Sequence, residues 1–475
     1  MSQLVKPVRQ VVKRTTIGAI GRVVVRLTGG GALVVSALLM PTPSTAQTSG
    51  NALPTTSRTK ASVHDSLTTS YEVGGVRVVH RLTPANDIVA ANVYLLGGVR
   101  QVTGDNAGIE PLLLEASDRG TREYTGERVR TALSRLGSSI VVDPETDWTI
   151  FGLRATREGF DSTWSVMASR LMHPTLDSAQ VALVREQLLA AVRQRGDNPD
   201  ALASFVADTF AFSGHPYARS TLGTERSLSR LNVAALERYH DEQIVKSRML
   251  VVIVGNVARS RVEKLITRTL AKLPAGTYRW TLPDSVPSRA AGFAIEPRAL
   301  PTNYILGYYL GPSAGSKDYQ ALRVAAAVLS GQLFAEIRSR RNLTYAVDAP
   351  FIERAIASGG LYVTTVSPDT TLALMQQQIN ALQQGTIDRE ALERLVQQFI
   401  TEYFLNNETN AEQANFLARA QLYRGDFRVG DQFVDELRDV TPEDVQRVAR
   451  RYMRDIRFAY VGDSLRLSPR ALRGF

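Results

Sequence analysis

Cysteine is absent from the 475 residues, and histidine occurs only at His64, His80, His173, His215 and His240. The first absence excludes disulfides, thiolate nucleophiles and thiolate metal sites. The histidines are scattered, with none four residues from another, so no zinc site can be assembled locally. Long apolar runs are also missing. The longest apolar stretch, near residues 32–40, falls short of the roughly 18 residues a membrane-spanning helix needs.

What is present is the balance of a globular core-former, 44% hydrophobic and 21% charged, at a length that suits two domains. The segment 1–46 carries Lys6, Arg9, Lys13, Arg14, Arg22 and Arg26 with no acid, then the apolar stretch, then Ser44-Thr45-Ala46. Basic start, apolar middle and small-residue end read as a cleaved export signal to the periplasm, with an uncleaved anchor as the other reading. Residues 47–66 are Ser/Thr/Ala-rich without hydrophobic period and read as a disordered tether. Taking those six charges from the formal +10 leaves +4, which removes the case for a nucleic-acid partner; after signal cleavage no stable membrane insertion is expected.

The two halves repeat each other at an offset of 211 residues. Thr175-Leu176-Asp177 answers Thr386-Ile387-Asp388, and each triplet opens a helical pattern: Val181, Val184, Leu188 and Val192, then Leu392, Leu395, Phe399 and Tyr403. Each half closes with a capped helix (Asn232 to Tyr239; Thr441 to Tyr452) and an apolar strand ending in glycine (249–255; 457–462). Each opens with strand patterns, at 76–79 and 89–96 and again at 303–310. The expected fold is α+β: two homologous domains, at 67–275 and 291–470, each a largely antiparallel sheet packed against helices. Residues 276–290, with Gly276, Pro283 and Pro287, read as the linker.

In order along the chain stand Val73-Gly74-Gly75-Val76, Gly97-Gly98-Val99-Arg100, Gly108, Gly120-Thr121, His215-Pro216-Tyr217 and Leu222-Gly223-Thr224. The second half adds Leu333, Phe334, Arg338, Leu343 and Tyr345. In this order and spacing the motifs resemble the insulinase/pitrilysin family of zinc peptidases with the inverted H-x-x-E-H motif, and its small two-domain, processing-peptidase-like members. The likeness covers roughly residues 70–465. It implies a metal helix between Gly108 and Thr121, but Pro111 stands where the first histidine ligand belongs, Leu114 at the general-base glutamate and Glu115 at the second histidine. The third ligand, a glutamate on the long helix before Asp197-Asn198-Pro199, falls on or beside Ala191. Catalytic zinc requires about three protein ligands and a carboxylate that takes the water's proton. Hydrolysis by this chain alone is not expected, and Pro111 to Ala116 read as a core helix with proline in its first turn.

The resemblance also implies that Arg338 and Tyr345 donate hydrogen bonds to a substrate carbonyl or oxyanion. Taken singly, Arg338 reads as a surface partner of Glu336 and Tyr345 as a strand aromatic; within the matched segment, they read as donors. Arg340 and Arg341 read as solvated helix-end charges. Residues 89–96 align with the family strand whose edge pairs with extended substrate. The expected function is that of a non-zinc-binding subunit of a heterodimeric zinc metallopeptidase. Its partner is an H-x-x-E-H-bearing homologue that holds the zinc, and its substrate a peptide. The alternative is a non-enzymatic scaffold or peptide-binding protein of the same fold.

Overall fold

A computed structural model describes residues 67–472 and 474–475. The expected signal at 1–46 and tether at 47–66 lie outside the described residues. The first half runs β1 (Thr68–Val73), β2 (Val76–Leu82), β3 (Ile88–Leu96), α1 (Ile109–Ala116), α2 (Gly126–Leu136), β4 (Ser139–Pro144) and β5 (Trp148–Thr156). It continues with α3 (Phe160–Met172), α4 (Ser178–Asp197), α5 (Pro199–Ala211), α6 (Glu225–Leu228), α7 (Val233–Gln243), β6 (Met249–Gly255) and α8 (Arg259–Arg268). The second half runs β7 (Gly292–Pro297), β8 (Asn303–Ser313), α9 (Asp318–Leu333), β9 (Val347–Asp348), β10 (Phe351–Ile352) and β11 (Ile356–Thr365). It closes with α10 (Pro368–Gln384), α11 (Arg389–Asn406), α12 (Asn410–Arg424), α13 (Phe433–Arg438), α14 (Pro442–Tyr452) and β12 (Arg457–Gly462).

Two mixed sheets result, ordered β1-β2-β6-β3-β5-β4 and β10-β11-β8-β12-β7, with β9 also on β11. The repeat is visible in the pairing. In each half the first shared strand runs parallel to the last (β2 with β6, β7 with β12), and the remaining pairs are antiparallel. The repeated triplets act as caps: Asp177 accepts from the backbone of Ala179 and Gln180, and Asp388 from Ala391. Asn232 and Thr441 likewise cap α7 and α14.

One expectation is corrected here. The strand expected to offer a substrate-pairing edge, β3, is interior, between β5 and β6; the edges of this sheet are β1 and β4. An interior strand has both rows of backbone groups committed to its neighbours and cannot take a further one.

The sheets are also buried on both faces, which explains why Met249–Gly255 reads as an unbroken apolar run. Val251 and Ile253 face a core shared with α1, α3, α4 and α7. Leu250, Val252 and Val254 face another, filled from the second half by Ala414, Leu417, Ala418 and Leu422 of α12. The arrangement is reciprocal, since α5 brings Ala203, Ala207 and Ala211 against Leu306 and Tyr308 of β8 and Ala459 and Val461 of β12. Ala203 and Ala207 repeat as Ala414 and Ala418 at the same offset of 211, and all four are fully buried. Alanines four apart lie on one helix stripe, and their small size lets a helix approach a sheet closely. Each half therefore covers the back of the other's sheet.

Polar groups seal this seam. Asp147, just before β5, accepts from the phenols of Tyr217 (2.6 Å) and Tyr423 (2.8 Å) and from the backbone of Ala355 (2.9 Å). Residues 276–290 have no helix or strand but are anchored: the Trp280 indole donates to the Leu422 carbonyl (2.7 Å), and Arg100 stacks over its ring.

Candidate functional site

The metal-helix positions form α1, and the sequence folds it as core. Leu112, Leu113 and Leu114 are essentially inaccessible, within the cluster that also holds Leu189 and Val192 of α4. Gly108 and Gly223 both adopt left-handed backbone (φ 88° and 84°) and press their main chains together beneath the start of α1. A Cβ on Gly223 would stand 2.5 Å from the Ala107 carbonyl, so both glycine motifs are explained by this close approach. The far end of α1 is closed by Arg170, which donates to the Leu114 carbonyl (3.1 Å) and pairs with Asp118 (3.0 Å).

This helix does not fit zinc. Pro111 and Leu114 are buried and offer no donor atom, and Ala191 on α4 has none either. Glu115 is the one carboxylate among the four positions, and burial raises its pKa against the pull of Arg170. The nearby Glu110 is consumed by a 2.6 Å ion pair with Arg248 and a 2.9 Å bond from Tyr239. Beside Pro111 remains a crevice of about 20 Å³, close to the least room a water molecule needs. Among the described residues no group of three or more His, Cys, Asp or Glu could hold a metal ion.

The second-half motif is built the opposite way. After α9 the helix widens into a π-helical turn over Phe334–Arg340, a geometry found often at functional sites. Asn342 then takes a positive φ of 51°, tolerable for asparagine, and turns the chain toward Tyr345. Leu333 and Ile337 hold the turn in the core, while Arg338 and Tyr345 face outward, Tyr345 being 84% exposed. The Arg338 guanidinium carbon lies 5.2 Å from the Tyr345 ring centre and 5.1 Å from that of Phe334. Glu336 pairs with Arg340 and Arg341 rather than Arg338, its contact with Arg341 being 2.8 Å. Arg338 has no acidic partner among the described residues, so its donors and the Tyr345 hydroxyl stay open to an external acceptor.

Two family models match this geometry in sequence: "Insulinase (Peptidase family M16)" over residues 77–225 and "Peptidase M16 inactive domain" over residues 230–399. The chain belongs to the insulinase family of peptidases. It is a member without the zinc motif, as the residues of α1 establish. Within this family it is 21% identical to the "Uncharacterized zinc protease YmxG" of Bacillus subtilis (strain 168), covering 82% of this chain and 97% of the relative. To "Mitochondrial-processing peptidase subunit beta" of Blastocladiella emersonii it is 23% identical, covering 82% and 87%. Its fold matches the crystal structure of a peptidase M16 inactive domain from Pseudomonas fluorescens, with TM-score 0.77 at 18% identity, over 85% of this chain and all of that one.

Reading the sequence missed two parts of the molecule near these sites. The first is the Asp147 junction, signalled only by an acid set between strand patterns. The second is the ion chain Arg323–Glu353–Arg419–Glu145, with contacts of 2.6, 3.3 and 3.9 Å, which runs from α9 across the seam to the end of β4.

Proposed function

We propose that this chain is the non-zinc-binding subunit of a two-subunit peptidase, exported to the periplasm, that presents Arg338 and Tyr345 to peptide held by a zinc-bearing partner. One contrast carries the reading: Pro111 and Leu114, at metal-motif positions, are packed as core, while the two donor residues are exposed, in contact with each other and free of acidic partners among the described residues. A relative named as a subunit of a processing peptidase supports the idea of a partner chain.

In this reading a zinc held by the partner would activate the attacking water, and the present chain supplies positioning and charge stabilisation. The Arg338 N–H groups and the Tyr345 O–H donate to the peptide carbonyl and hold its oxygen as negative charge develops there. The test is co-expression with an exported H-x-x-E-H homologue. The expected result is a stable complex that contains zinc and cleaves peptides, whereas this chain alone does neither. A chain that ignores every such homologue and assembles only with itself would support the scaffold alternative.

A further inference from the structure

The turn that carries Arg338 also carries Arg340 and Arg341, whose side chains are 71% and 49% exposed. Both share the single carboxylate of Glu336, 11% exposed and held by one oxygen to each. One carboxylate thus serves two of the turn's three guanidinium groups, so the turn carries a net two positive charges. No other acid forms an ion pair with any of the three among the described residues. Glu336 fixes Arg340 and Arg341 in place without neutralising them, because a guanidinium has five N–H donors and each spends only part of them on this contact.

Resting on the donor role proposed above for Arg338 and Tyr345, we infer that this rim selects acidic peptides: an Asp or Glu side chain flanking the bond under attack is taken by Arg340 and Arg341. Guanidinium and carboxylate match in geometry as well as in charge, which a mere surface potential would not require. Glu336 is the positioning residue. Its carboxylate keeps the two arginines in register.

The test uses the full chain assembled with its zinc-bearing partner and a fluorescent extended peptide bearing aspartates, compared with its asparagine isostere. The aspartate peptide should bind roughly fivefold tighter, the scale of an exposed charge pair, and its advantage should fade with added salt. Combining R340Q and R341Q with E336Q, so that no buried carboxylate is stranded, should abolish the aspartate peptide's advantage over its asparagine isostere. Should that variant fail to fold, the peptide pair and the salt titration on the unaltered chain still decide. Equal binding of the two peptides at low salt overturns the acidic selection and leaves the donor role standing. Failure of both peptides to bind the two-chain complex overturns the inference together with the donor role beneath it.

Discussion

Tyr423 donates its phenolic hydrogen to Asp147 over 2.8 Å and so joins residues 276 positions apart, one in each half of the chain. Asp147 is 2% exposed and is satisfied entirely by neutral donors, the second phenol being Tyr217 and the third group the Ala355 backbone. Deleting the carboxylate leaves three buried donors without an acceptor, each costing about 1–3 kcal/mol. Asp147→Ala is therefore expected to destabilise the fold by about 3 kcal/mol or more. Tyr423→Phe, which removes one bond, should cost about 1 kcal/mol. Urea denaturation with unchanged m-value measures both.

Rebuilding the metal motif should harm the protein rather than activate it. Leu114 is 1% exposed within the apolar cluster around α1, so a glutamate there would place a carboxylate among core side chains. The combined change Pro111→His, Leu114→Glu, Glu115→His is expected to lower the denaturation midpoint sharply. No stoichiometric zinc should appear on metal analysis, since Ala191 still supplies no third ligand. Leu114→Ala alone should cost about 2–5 kcal/mol through the cavity it leaves.

Glu145 gives the seam a pH dependence. Burial pushes its carboxyl up to about 7 from an ordinary value of 4.5, against the opposing pull of Arg419 at 3.9 Å. Between those limits the folded chain holds a proton that the unfolded chain has released, so this group's contribution is fully present below the ordinary value and fades as pH rises through about 7. Glu145→Gln should flatten the stability–pH curve across that window. Denaturation midpoints at several pH values check it, and an unchanged slope would count against the assignment.

Much of the fold was legible in the sequence because its signals are local. Asp177 and Asp388 announce helix starts, and the apolar runs 249–255 and 457–462 announce buried strands. The reciprocal docking of α5 and α12 was not, because an apolar strand shows that something covers each face without saying what. The alanines at 203, 207, 414 and 418 carried that information, since paired small residues at one repeat offset mark helices that approach a sheet closely. The edge strand was misplaced for the same reason: β3 and β4 both show strand patterns, and edge status depends on long-range pairing. At the site, the loss of zinc ligands could be read directly from Pro111, Glu115 and Ala191, and the loss of the general base from Leu114. That Glu336 binds Arg340 and Arg341 and leaves Arg338 free depends on the π-helical turn, which spacing alone does not reveal.

The most direct test of the account is the turnover of the proposed two-subunit peptidase, reconstituted with Arg338→Ala in this chain. Arg338 is exposed, so its removal should leave the fold and the zinc content of the complex intact. Turnover should fall by about 10²–10³, the usual effect of losing one donor to a developing oxyanion. Full turnover in that complex, with zinc unchanged, would contradict the claim that this chain lends its donors to the reaction.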